Sequence, residues 1–106
     1  MKLLYYSSRE RMFSAQLLDP LEAHGIKIRI LDELNELDVL KLEDYRGMIA
    51  HPGIRNQAKF IEQARKHPNL DIVLFSYGVA DYQNKHGRLP IFDISNYKGV
   101  IEHFSK

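Results

Sequence analysis

Along this chain the spacing of apolar positions switches between two and three or four residues, and each switch marks an element. The opening Lys2-Leu3-Leu4-Tyr5-Tyr6 is a short β-prone apolar run. It is followed by Ser7-Ser8-Arg9-Glu10, where a serine precedes a glutamate by three positions, the spacing of a helix-starting capping box. The helix begun there carries Met12, Phe13, Leu17, Leu18 and Leu21 on one side and is expected to stop at Gly25. Pro20 interrupts it, predicting either a kink or a second start with Asp19 as cap and Pro20 in the first helical position. Residues 26–31 alternate strictly, as an edge strand with one face in water does. Residues 35–44 set Leu37, Leu40 and Leu42 among acids, a pattern for a short helix.

A third strand is predicted over residues 45–50, ending at His51-Pro52-Gly53. Asn56 can cap a helix through Ala58, Phe60, Ile61 and Ala64 that must end at His67-Pro68. Residues 70–75 contain Ile72-Val73-Leu74-Phe75, a continuous run suited to a strand buried on both faces. Residues 77–88 are polar, with room for a turn or two of helix. A fifth strand over residues 89–94 begins Leu89-Pro90, and a proline there belongs at an edge or a strand start. Ser95 or Asn96 can cap a closing helix with Tyr97, Val100, Ile101 and Phe104 on one face, weakened by Gly99.

The resulting order alternates strands and helices without repeat or linker, so residues 1–106 are expected to form one α/β domain. Alternation of this kind demands a parallel sheet covered on both faces. In the order 2-1-3-4-5 the second and fifth strands lie outermost, where the alternating strand and the proline-bearing strand belong. The expected architecture is a flavodoxin-like three-layer α/β/α sandwich around a five-stranded parallel sheet.

Composition narrows the class further. The chain has 106 residues, a formal net charge of +1 and no cysteine, which removes disulfides, thiolate metal sites and a cysteine nucleophile. No apolar run approaches the roughly 20 residues that cross a bilayer, and the opening segment lacks the apolar stretch of a signal peptide. A soluble, cytoplasmic protein with no membrane partner is expected. Residues 1–53 carry seven Lys and Arg against nine Asp and Glu, whereas residues 54–106 carry eight against five. That polarity is mild, and the clustered Lys and Arg of a duplex-binding face are missing. No nucleic-acid partner is expected.

In an open α/β sheet the ligand crevice lies beyond the carboxyl ends of the strands, at the switch point between strands 1 and 3. The rule selects Ser7 and Ser8 after strand 1, His51 after strand 3, Ser76 after strand 4, and Ser95-Asn96 after strand 5. Hydroxyls and helix amides there could hold a phosphate, whereas a divalent cation wants carboxylates. Each candidate also has a structural role open to it: Ser7 as a helix cap, Ser76 as a strand terminator, His51 as a strand-end residue bonded to a loop. Asp93 has no partner in the pattern and receives no catalytic role. His24, His67, His86 and His103 lack metal-ligand spacing and read as surface residues. No metal and no cofactor is expected. Glycine is missing from residues 7–14, which argues against a flavin-phosphate loop, and neither a dinucleotide fingerprint nor a P-loop is present. There is no nucleophile elbow either.

The segment from Tyr45 through Gly78, above all Pro52-Gly53 and the run from Phe60 to Ser76, resembles strand 3 to strand 4 of a response-regulator (CheY-like) receiver domain. That family carries an acidic pair after strand 1, a phosphoacceptor aspartate ending strand 3, a serine or threonine after strand 4 and a lysine after strand 5. In this chain the acidic pair falls on Ser7 and Ser8, the acceptor on His51, and Ile94-Ser95 stands where the lysine is expected. Only Ser76 fits. Phosphoryl transfer in the family needs Mg²⁺ held by the acidic pair, the acceptor and the lysine. The resemblance is therefore to a degenerate, or pseudo-, receiver: a noncatalytic signalling module acting through protein contacts. The family's usual contact face, formed by its fourth helix, fifth strand and fifth helix, would present Tyr82, Arg88, Tyr97 and Lys98. The partner implied is another signalling protein, or a second copy of the chain. The alternative is a small phosphate- or flavin-handling protein using His51 and the strand-end hydroxyls.

Overall fold

The computed structural model describes residues 1–7, 15–51, 57–76 and 89–105. The apolar opening run forms β1 (Lys2–Ser7), whose four central residues are buried. After it come α1 (Ala15–Ala23) and β2 (Lys27–Leu31). Two 3₁₀ segments, Leu34–Asp38 and Leu42–Asp44, lead to β3 (Gly47–His51), which is buried throughout. α2 (Gln57–Lys66), β4 (Ile72–Ser76), β5 (Ile91–Asp93) and α3 (Tyr97–Phe104) complete the order. The expected capping box at Ser7 and Glu10, the expected cap Asn56 and the polar stretch 77–88 involve residues outside those described.

All strand pairs are parallel, and the sheet order is β2-β1-β3-β4-β5. Alternating side chains of the three inner strands divide the core in two. Leu3, Tyr5, Ile49, Val73 and Phe75 meet Leu17, Leu18 and Leu21 of α1 and Val100 and Phe104 of α3. On the opposite face Leu4, Tyr6, Met48, Ala50, Ile72 and Leu74 meet Leu34 and Leu37 of the first 3₁₀ segment and Phe60 of α2. The result is a three-layer α/β/α sandwich. No helix among the described residues is long and apolar enough to cross a membrane.

Several local outcomes have identifiable causes. α1 runs through Pro20 without restarting, so Asp19 does not serve as a second cap. The helix ends in a Schellman turn, with Ile26 N–H donating to the Leu21 carbonyl (3.2 Å), Gly25 N–H to that of Glu22 (3.0 Å), and Gly25 at φ +82°. Between β2 and β3, where the pattern predicts a short helix, the chain makes 3₁₀ turns. The two buried leucines Leu34 and Leu37 lie three residues apart, the repeat of a 3₁₀ turn, and the Glu36 carboxylate accepts from the Asp32 and Glu33 amides (2.7 and 2.9 Å). The expected alternation holds only at the start of β2: Ile26, just before it, is buried and Ile28 half-buried, but Ile30 is 41% exposed while Leu31 is buried on the opposite face. At Gly47 a side chain has no room, because a methyl group there would run into the Phe104 ring and the Asp71 carbonyl.

Candidate functional site

The chain leaves β1 toward β2 on one side and enters β3 on the other, so the switch point lies between β1 and β3. There the register sets Ser7 opposite His51, the last residues of their strands. One strand pair further, Ser76 ends β4 opposite Asp93, which ends β5. Of the expected crevice residues, the sheet thus brings Ser7, His51 and Ser76 to the carboxyl ends of neighbouring strands. Ser8 lies outside the described residues, as do Tyr82 and Arg88.

The two ends of this row differ in character. Ser7 is half-buried. His51 is only 2% exposed, since the alternation of β3 turns it to the same face as Ile49, toward α1 and α3. Its ring tilts against Phe75 at 5.1 Å, and Phe75 stacks on Tyr5 at 5.6 Å. The imidazole therefore continues an aromatic column in the core. A phosphoacceptor must meet its donor, and the His51 side chain is almost fully enclosed.

Asp93 has a clear structural task. Its Oδ2 accepts the Ser95 N–H (3.0 Å) and the Ser95 hydroxyl, and its backbone carbonyl accepts from Asn96 N–H (2.9 Å). The Ser95 hydroxyl, then its amide, hold the Asp93 carboxyl below the usual carboxylate range. Asn96 Oδ1 next caps α3 by accepting from Gly99 N–H (3.0 Å). The place at which a receiver would supply lysine is thus a turn that starts the last helix. On that helix Tyr97 is half-buried, 5.4 Å from the His24 ring, and Lys98 is exposed.

Two polar ties lie away from the strand carboxyl ends. Asp38, closing the first 3₁₀ segment, sits 3.0 Å from His67 Nε2, accepts from Gln63 Nε2 (3.3 Å) and lies 3.9 Å from Lys66 Nζ. The hydrogen bonds from His67 and Gln63 lower its carboxyl from the ordinary value of 3.8. At the other tie His103 Nε2 lies 3.0 Å from Asp71 Oδ1, joining α3 to the start of β4. His67 and His103 are consequently half-buried rather than plain surface residues. Sequence reading missed both pairs, whose members stand 29 and 32 residues apart with no local spacing to betray them.

Two cavities open beside these ties. One of about 480 Å³ is lined by Tyr45, Arg46, His67, Asn69 and Asp71 at the amino ends of β3 and β4. Another of about 270 Å³ lies between the first 3₁₀ segment and α2, against Tyr6, Leu34, Asp38 and Gln63. Neither includes Ser7 or His51. Among the described residues no three His, Asp or Glu side chains gather closely enough to hold a metal ion.

No family model and no curated protein matches this chain. Among solved structures it is similar to a de novo designed Rossmann 2x3 fold protein determined by solution NMR, with a TM-score of 0.64 and 14% identity over 98% of this chain and 88% of that one. It is similar as well to a transiently phosphorylated "switch" in bacterial signal transduction, with a TM-score of 0.63 and 13% identity over the whole of both chains. At these identities the likeness is one of fold, and with the observed strand order it defines a flavodoxin-like α/β/α protein.

Proposed function

We propose that this chain is a receiver-like signalling module that works by binding another protein, without the aspartyl phosphorylation of the response-regulator receivers it resembles. The observation that carries the reading is the Ser7–His51 pair: at the switch point, β1 ends in a hydroxyl and β3 in a buried imidazole. Ordinary receiver chemistry needs carboxylates at those ends, to hold Mg²⁺ and to accept the phosphoryl group. The whole-chain likeness to a bacterial signal-transduction switch supports a signalling role. The partner face in this reading is the one beside β5 and α3, with Tyr97 and Lys98 contributing. Tyr82 and Arg88 join it by analogy with the family.

An NMR titration with Mg²⁺, then acetyl phosphate, then FMN tests the proposal. The reading expects no saturable shifts at the Ser7 and His51 amides in any of the three steps. Saturable shifts there under Mg²⁺ and acetyl phosphate would overturn it in favour of phosphoryl chemistry. Shifts there that appear only at the FMN step would favour the alternative of a small phosphate- or flavin-handling protein.

A further inference from the structure

β2 is the outer strand of the sheet, and among the described residues no strand flanks its far side. Lys27 N–H donates to the Met1 carbonyl (3.0 Å), so the odd-numbered residues of β2 point their backbone groups inward to β1. By the two-residue repeat of a strand, Ile28 and Ile30 point theirs outward. The side chains at this edge are patterned too. Ile30 is 41% exposed, and the run Lys27-Ile28-Arg29-Ile30-Leu31-Asp32-Glu33 is positive in its first half and negative in its second. Such a run complements itself when reversed.

We infer that the β2 edge is a self-association surface, on which a second copy of this chain pairs antiparallel across a two-fold axis at Ile30. The register follows from the backbone and the charges together. Outward-pointing residues must face one another, so the axis falls at residue 28, 29, 30 or 31, and at Ile28 it would set Lys27 against Arg29. Pairing Ile28 with Ile30 sets Arg29 against Arg29 of the second copy, at the closer, non-hydrogen-bonded position, where like charges repel most. Moving the axis to Leu31 pairs Ile30 with Asp32, whose N–H is already held by Glu36, and forfeits hydrogen bonds. Centring on Ile30 avoids the Arg29–Arg29 contact and keeps both bonds of the central Ile30 pair, giving up only the bond that each Asp32 N–H, held by Glu36, would donate to Ile28. It pairs Ile30 with its own copy, lets Ile28 N–H reach the Asp32 carbonyl, and sets Lys27 opposite Glu33.

The charges explain why the edge is selective. Lys and Arg on an edge strand ordinarily discourage pairing with other strands. Here Lys27 is answered by an acid at the reversed position, Glu33 of the second copy, while Arg29 stands opposite Leu31. An isologous contact of this kind closes at two copies and runs one sheet through both. It also lies at the opposite side of the sheet from β5 and α3. The inference therefore stands on the edge alone, independent of the proposed function, and both partner faces stay open in the dimer.

A pair of five-residue strands covers little area, so the dimer is a weak one, with a dissociation constant on the order of 100 µM. Sedimentation equilibrium on the full chain, with an NMR dilution series between about 1 mM and about 20 µM, tests it. The expected result is a monomer–dimer equilibrium that weakens with added salt. The Ile28 and Ile30 amides should shift with concentration and the inward-pointing Arg29 amide much less. Ile30→Lys should abolish the dimer, and Lys27→Glu, at an exposed residue, should weaken it about tenfold. Val39→Lys, at an 84% exposed position off the strand, should leave it intact. A monomer at the highest concentration, concentration-dependent shifts confined elsewhere, or an undiminished dimer in both folded edge variants would overturn the inference.

Discussion

His51 illustrates how much a single position depends on the face to which it is turned. One residue earlier in β3 the imidazole would lie on the side of Ala50, over α2; where it stands it is enclosed with Phe75 and Tyr5. Gly47 is constrained in the opposite sense, by what cannot be added. Gly47→Ala must displace the Phe104 ring or the Asp71 carbonyl, and is expected to cost about 1–3 kcal/mol, read from urea unfolding. Asp38 makes a prediction about pH. Its folded carboxyl titrates below 3.8, so its contribution to stability is complete above that value and is lost as pH falls through the lowered folded value. Asp93 adds to the same acid limb for the same reason. Urea midpoints measured between about pH 6 and pH 2 should therefore fall on acidification, and Asp38→Asn should flatten that fall. An unchanged acid limb in Asp38→Asn would contradict the role given to the His67 and Gln63 hydrogen bonds.

Elements differ in how far their sequences announce them. β3 and β4 are legible because inner strands of a parallel sheet are apolar on both sides, leaving an unbroken run such as Ile72-Val73-Leu74-Phe75. α3 is legible from its cap: Asn96 followed by Val100 and Phe104 four residues apart, both buried. Asn96→Ala removes the acceptor for Gly99 N–H, and is expected to cost about 1 kcal/mol, seen as a lowered thermal midpoint. The segment between β2 and β3 was harder to read. Its leucines at 34, 37, 40 and 42 drift out of helical phase, and local bonds to Glu36 settle it as 3₁₀ turns. Pro20 misled in the other direction. The apolar face of Leu17, Leu18 and Leu21 packs into the core and carries α1 through the proline, so burial outweighs one missing backbone hydrogen bond. The Asp38–His67 and Asp71–His103 ties were invisible for a different reason: they exist only once separate layers are packed together.

At the scale of the whole molecule the strand order follows from where water reaches. The strand with alternating residues and the strand preceded by Pro90 sit at the two edges, and the apolar runs lie between them. That placement also fixes the crevice, because the direction change at β1 brings Ser7 and His51 together. What the sequence could not convey is that the histidine would be enclosed. The proposed function is a receiver-like module that lacks aspartyl phosphorylation. Intact-mass spectrometry of the full chain after incubation with Mg²⁺ and acetyl phosphate tests it most directly, since one added phosphoryl group is read without assumptions about site or partner. The account expects the unmodified mass alone. A Mg²⁺-dependent adduct of one phosphoryl group, labile to hydroxylamine as an aspartyl phosphate is, would contradict it.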